Sequence, residues 1–225
     1  PIQAGKASAA EASPLFSFNK NVFFATDSAG VFRSVDGGST FVESNTGLTD
    51  HRVKHLVVSP RFNTDSTIFA STPSGLFKSA DASGSWTKVA GGLPNVEITA
   101  VVYSPNFSTD DTLYASALGF GLYASANGGG TWTLLSTSGM TDLGLKGVQV
   151  VEGNFGSLII VVRTSTKIFR SDDSGATWAE RINGLPSGVE TITLRLTPDF
   201  RTSNIALVGT KANGIYRTTN GGTNW

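Results

Sequence analysis

Ser171-Asp172-Asp173-Ser174-Gly175-Ala176-Thr177-Trp178 decides the fold, because the chain repeats it. Its other copies are Ser34-Val-Asp36-Gly-Gly38-Ser-Thr40-Phe41, Ser79-Ala-Asp81-Ala-Ser-Gly84-Ser85-Trp86, Ser125-Ala-Asn127-Gly-Gly129-Gly-Thr131-Trp132 and Thr218-Thr-Asn220-Gly-Gly222-Thr-Asn224-Trp225. The closing aromatics fall at 41, 86, 132, 178 and 225, so the steps are 45, 46, 46 and 47 residues. A period in the forties with Gly and aromatic punctuation marks a repeat architecture.

Working outward from each copy, the same order of elements recurs. In residues 53–91, Val53–Val58 is a β-rich run closed by Ser59-Pro60-Arg61-Phe62, Thr67–Ser71 is a second, Leu76–Ser79 a third, and Trp86–Ala90 a fourth. Four short runs bounded by turn residues predict four strands per repeat. Second runs such as Leu158–Val162 are apolar at every position, so both of their faces should be covered, as in blades stacked on one another. The expected fold is therefore all-β: a β-propeller of four-stranded antiparallel blades at about 7–47, 52–92, 97–138, 145–184 and 189–225, the last without its outer strand. The segment Ala7–Ala12 has helical composition but aligns with the innermost strands. This phasing, with Pro rather than Met at position 1, reads as a processed protein, a piece of a longer propeller, or one closed by material outside this chain, with a genuine five-bladed ring as the alternative.

Composition excludes several function classes. Lys plus Arg and Asp plus Glu both total 17, so the chain lacks the basic field that nucleic-acid binding rests on. There is no cysteine, hence no disulfide or thiolate chemistry. The longest apolar run, Leu158–Val162, is far too short for a membrane-spanning helix. Only 15% of residues are charged, and Ser, Thr, Gly and Asn fill the polar positions. That surface suits an exported bacterial-type protein, secreted or held at the cell surface.

The residue types of the repeated octapeptide build a turn. Asp or Asn bonds backbone groups near it in sequence, Gly supplies a positive φ, Ser and Thr hydroxyls tie the turn together, and Trp or Phe buries apolar area. The motif resembles the Asp-box, or BNR repeat, of consensus Ser-x-Asp-x-Gly-x-Thr-Trp. The copy at 171–178 matches every specified position; copies one and three depart at Phe41 and Asn127, and copy two has Ser85 for Thr with its Gly displaced to Gly84. Copy five keeps Gly222 and Trp225, with Thr218, Asn220 and Asn224 as softer replacements. The resemblance covers nearly the whole chain. It implies a propeller similar to those of sialidases, xyloglucan-type glycosidases, sortilin-like receptors and photosystem II assembly factors, with the box on the rim facing away from the usual ligand mouth. The box residues are thus expected to be structural. A second element, Ser13-Pro-Leu-Phe16, Ser59-Pro-Arg-Phe62, Ser104-Pro-Asn-Phe107 and Thr197-Pro-Asp-Phe200, with proline-free Val151-Glu-Gly-Asn-Phe155, should fix the strand exit and pack its Phe into the blade base.

No catalytic constellation stands out. A sialidase needs an arginine triad, but Arg33, Arg170 and Arg217 recur at one blade level, which suits outward-facing side chains or packing between blades rather than a converging clamp. Glycosidases need two carboxylates roughly 5–10 Å apart, and the acids in the connections leading to the next inner strand are Asp50, Glu97, Asp142 and Glu190. These four, with Phe120 in its small-residue loop and Arg163, which interrupts an apolar strand, are the candidates for binding at the mouth. His51 and His55 lie about 13 Å apart if extended, too far to share a metal. No metal or cofactor is expected. The reading is a non-catalytic extracellular or cell-surface binding or structural module that engages a protein or a glycan and assembles with further blades or subunits. Its rivals are a sialidase- or xyloglucanase-like glycoside hydrolase with catalytic residues largely outside this chain, and an assembly factor docking on a membrane complex.

Overall fold

The computed structural model describes residues 5–225. Among them, nineteen strands form five sheets. The first sheet runs β1 (Ala7–Ala12), β2 (Val22–Thr26), β3 (Val31–Ser34), β4 (Val42–Glu43), and the second β5 (His55–Val58), β6 (Ile68–Thr72), β7 (Gly75–Ser79), β8 (Thr87–Lys88). The third holds β9 (Ile98–Tyr103), β10 (Leu113–Ala117), β11 (Gly121–Ser125) and β12 (Thr133–Leu134). The fourth is β13 (Gly147–Glu152), β14 (Leu158–Arg163), β15 (Ile168–Ser171), β16 (Ala179–Glu180), and the fifth has three strands, β17 (Thr191–Leu196), β18 (Ala206–Thr210) and β19 (Ile215–Thr218). Each sheet is an antiparallel meander in chain order, and the fold is that of a β-propeller.

The apolar second strands are mostly buried: β6 and β10 have no exposed residue, and β18 exposes only Leu207. Ala7–Ala12, for all its alanine, is a strand with a register shift between Ala7 and Ala9, because the β2 ladder beside it (Ala10 opposite Phe24) outweighs local propensity.

By their contacts the residues form two compact units. One runs to Leu113 and includes Ser125–Trp132; the other holds Tyr114–Ala124 and Thr133–Trp225. In the first, Phe23, Leu48, Leu56, Phe62, Ile68, Phe77 and Trp86 make one core, with Phe23 edge-on to Phe62 at 5.5 Å between ring centres. In the second, Ile159, Val161, Leu194, Phe200 and Val208 pack with Val151 and Trp225.

Four one-turn helices are absent from the sequence reading: α1 (Phe16–Asn19), α2 (Phe62–Asp65), α3 (Phe107–Asp110) and α4 (Phe200–Ser203). Each follows a Pro-x-Phe element and ends on a left-handed residue, Lys20, Ser66, Asp111 or Asn204, whose N–H returns to the Phe carbonyl. A side-chain bond spans each helix: Ser59 Oγ donates to Asp65 Oδ2 at 2.7 Å, Ser104 Oγ to Asp110 Oδ2 at 2.6 Å, Asn19 Nδ2 to Ser13 Oγ at 2.8 Å, and the Thr197 and Ser203 hydroxyls bond at 2.7 Å. The expectation that each Phe packs into the base needs correcting. Phe62, Phe107 and Phe200 are buried, but Phe16 is 41% exposed, and Phe155 is fully exposed in a turn of positive φ without a helix. Proline fixes the exit backbone that starts the helix, and the copy at 151–155 lacks it.

Candidate functional site

The repeated turns share one bonding pattern at one end of the sheets. In the copy at 171–178, Ser171 Oγ donates to Asp173 Oδ1 at 2.7 Å and accepts from Gly175 N at 2.8 Å. Asp173 Oδ1 also accepts from Thr177 N at 2.9 Å, and Thr177 Oγ1 donates to Asp173 Oδ2 at 2.6 Å. Those hydrogen bonds hold the Asp173 carboxyl down at about 2, and the same set holds Asp36 lower still. Asn127 and Asn220 accept from the backbone N–H of Thr131 and Asn224 at 2.9 Å in the same way. All of these oxygens are committed within their own turn, which leaves them little to offer a substrate. In copy two the left-handed backbone falls on Ala82 and Ser83, not on Gly84. Ser83 N donates to Ser79 Oγ at 2.8 Å, the role Gly38 has in copy one, so the displaced glycine does not supply the left-handed backbone.

A second device, missed in the sequence, links neighbouring sheets. The backbone N–H of Trp86, Trp132, Trp178 and Trp225 donates to the carbonyls of Thr46, Gly91, Ser138 and Asn183 at 2.6–2.9 Å. The residue after each acceptor is a positive-φ glycine, Gly47, Gly92, Gly139 or Gly184, on which a Cβ would lie 1.9–2.3 Å from the Trp carbonyl oxygen. The signal was present, as Gly47-Leu48, Gly92-Leu93, Gly139-Met140 and Gly184-Leu185 recur at the repeat period. The cations of the third strands also reach across. Lys78 Nζ donates to the Gly128 carbonyl at 2.8 Å, and Arg170 Nη1 to that of Gly221 at 2.9 Å. Arg33 instead bonds Asn21 Oδ1 within its own sheet at 2.9 Å. A polar cleft of about 320 Å³ opens beside Lys78, lined by Arg61, Asp65, Phe107, Asp111 and Asn127, with Arg61 ion-paired to Asp111.

The opposite end of the sheets holds the candidates for binding. In the first unit, Asp50 is buried; burial raises its carboxyl, but hydrogen bonds from Arg52 and from Ser74 N outweigh that and hold it at about 2. Arg52 Nε and Nη2 reach Asp50 at 3.0 and 3.1 Å, and the charge of Glu97 also acts on Arg52. In the second unit, Asp142 caps Gly144 N at 2.8 Å and Glu190 pairs with Lys211 at 2.8 Å. Phe120 is 48% exposed in a tight turn closed by its own N–H to Ala117 at 3.0 Å. Arg52 thus pairs with Asp50 and only feels the charge of Glu97, whereas Asp142 and Glu190 are held by other partners. Arg163 is half-buried, with Nη1 donating to the Thr191 carbonyl at 3.0 Å; burial, and after it the charge of Arg195, lower its pKa. Glu11 on β1, overlooked in the sequence, is half-buried, and burial pushes its carboxyl up. Among the described residues no group of three or more His, Cys, Asp or Glu side chains gathers, and no helix is long and apolar enough to cross a membrane.

No family model matches the chain, and no curated protein does. Solved structures do. The chain is similar to the GH74 xyloglucanase from Xanthomonas campestris (15% identity, 99% of this chain, 37% of that one, TM-score 0.71). It is also similar to an extracellular domain from B. thetaiotaomicron (15% identity, 98% and 27%, TM-score 0.73) and to YCF48 bound to D1 peptide (13% identity, 97% and 65%, TM-score 0.63). These likenesses establish the propeller fold. The chain spans about a third of the GH74 structures, 31% of an ancestral enzyme and 37% of the xyloglucanase.

Proposed function

We propose that this propeller is a non-catalytic binding or structural module, extracellular or at the cell surface, that engages a protein or a glycan as part of a larger assembly. One observation carries the reading: three of the four candidate acids at the end opposite the turns are already committed. Asp50 is clamped by Arg52 and Ser74, Asp142 caps a loop, and Glu190 pairs with Lys211. Two carboxylates working as acid and nucleophile need each other's proximity and a free oxygen each, and none of these pairs offers both.

The fifth sheet supports the assembly part. Leu207 and Ile215 are 43% and 75% exposed, while the residues at the same register elsewhere, such as Phe23, Phe69, Val31 and Leu76, are covered by a neighbouring sheet. An apolar face of that kind marks an interaction surface. The extracellular domain and the peptide-bound YCF48 among the similar folds agree with a binding role by analogy of fold.

A second reading, a glycoside hydrolase completed by residues outside this chain, draws on the GH74 likeness and on Glu11, a carboxyl raised by burial as a general acid requires. Incubation with xyloglucan oligosaccharides and with a sialoside separates the two. The module reading expects no turnover. Turnover that disappears when Asp50, Glu97, Asp142 and Glu190 are replaced together, or in Glu11→Gln, would overturn it.

A further inference from the structure

The second-strand position of Arg163 is occupied by Ala25, Ser71 and Gly209 in the first, second and fifth sheets. Facing those small residues across the ladder are Ala9, His55 and Thr193, whereas Arg163 faces Gly147. Relative to the second and fifth sheets, the fourth has exchanged the large and small partners, and a Cβ on Gly147 would come within 3.3 Å of Arg163 Nε. The exchange sends a guanidinium to the inner edge of the neighbouring strand.

A second guanidinium rests on a carbonyl of the same strand. Arg163 Nη1 rests on the Thr191 carbonyl at 3.0 Å, and Arg195 Nη1 on the Leu194 carbonyl at 3.2 Å. Thr191 pairs with Thr210 and Leu194 with Val208, and the register shift between Thr191 and Thr193 absorbs the extra residue. The two carbonyls consequently leave the same edge of β17, about 7 Å apart. Among the described residues neither arginine has a carboxylate partner, and each uses one donating nitrogen of a group that carries five N–H bonds. Two like charges on one strand edge, one of them half-buried, repel each other until an anion joins them. Burial lowers the pKa of Arg163, and the charge of Arg195 adds to the shift.

We propose that Arg163 and Arg195 form a binding site for an oxyanion, a carboxylate or phosphate group carried by a ligand, along the free edge of β17. The planar fork of each guanidinium matches two oxygens of such a group, and bridging both forks neutralises the pair. The site stands whether the whole protein binds or hydrolyses glycans, so its test does not depend on turnover.

The experiment titrates the chain at low salt with inorganic phosphate and, separately, with glucuronate, following the arginine Nε–Hε resonances by NMR and heat by calorimetry. Glucose serves as the uncharged control. Saturable binding at millimolar concentration is expected. It should weaken about tenfold in Arg195→Gln, the scale of one charge-assisted hydrogen bond, and vanish in Arg163→Gln. Arg217→Gln, on another strand, should leave it unchanged. Tighter binding of phosphate points to a phosphorylated ligand and tighter binding of glucuronate to an acidic saccharide; either supports the site. Failure of both probes to bind, or binding unaltered in Arg195→Gln, overturns it. Arg195 is exposed, so that variant stays informative should Arg163→Gln not fold.

Discussion

Arg170 donates from Nη1 to the carbonyl oxygen of Gly221, 51 residues away and on the next sheet, at 2.9 Å. Its guanidinium also lies 5.3 Å from the centre of the Phe200 ring. Lys78 makes the equivalent bond to Gly128. Replacing Arg170 by Met should cost about 1–2 kcal/mol, from a charged hydrogen bond and a cation–π contact. Gly221→Ala places a residue with a Cβ at φ +68° and should cost about 1–2 kcal/mol. Because a Cβ there would also collide with the Arg170 tip, urea unfolding of the double variant should show less than the sum of the two losses. Additive losses would show that the two sheets are not coupled through this bond.

Gly139→Ala should be worse. Its φ is +90°, and the added Cβ would sit 1.9 Å from a backbone atom, the Trp178 carbonyl oxygen, which cannot rotate away. We expect a loss of about 2–4 kcal/mol and a thermal midpoint lower by roughly 2–4 °C for each of them. Gly119→Ala is the control: its φ is also positive, +80°, but nothing lies within 4 Å of the new Cβ, so only the backbone strain remains. Equal losses in both variants would refute the clash.

Asp173→Asn should be tolerated and Asp173→Ala should not, since Asn127 and Asn220 already make the same backbone bonds at equivalent turns. The acid limb carries the sign. Asp173 and Asp50 are held at about 2, below the ordinary 3.8. A depressed carboxyl stabilises the fold above its unfolded pKa, and that contribution is lost as pH falls toward the folded value. The thermal midpoint should therefore be insensitive to these groups above about pH 5 and decline between about pH 4 and 2. In Asp173→Asn the decline should be shallower, and an unchanged slope would remove Asp173 from the account.

Ala82→Gly should stabilise the chain slightly. Ala82 sits at φ +59°, where the matching residues of copies one, three and five are Gly37, Gly128 and Gly221. Relief of left-handed strain, about 1–2 kcal/mol, exceeds the added freedom of glycine in the unfolded chain, about 0.5–1 kcal/mol. The net gain is small and best measured by paired urea curves on the two proteins.

The strand pattern was legible because it is local. Alternation, turn residues and the phased octapeptide all act within about eight residues, and even the alanine-rich Ala7–Ala12 was placed by its phase. The one-turn helices escaped because Phe16–Asn19 and its counterparts span four residues each, too few to show a helical period. Phe155 stays exposed in a copy that lacks both proline and helix, while Phe16, which has both, is also 41% exposed, so the motif alone does not fix burial.

What the sequence determined by itself is the repeat, the four-strand order within it, and the internally satisfied turn, since each depends on neighbours a few bonds apart. Tertiary structure alone decided which residues far apart in the sequence, 28 to 51 positions, would touch. Trp178 against Gly139, Arg170 against Gly221, and Arg163 beside the edge that Arg195 shares all depend on how one sheet lies against the next. That placement follows from side-chain volumes on both facing sheets at once, and the pattern of any single strand holds only half of it.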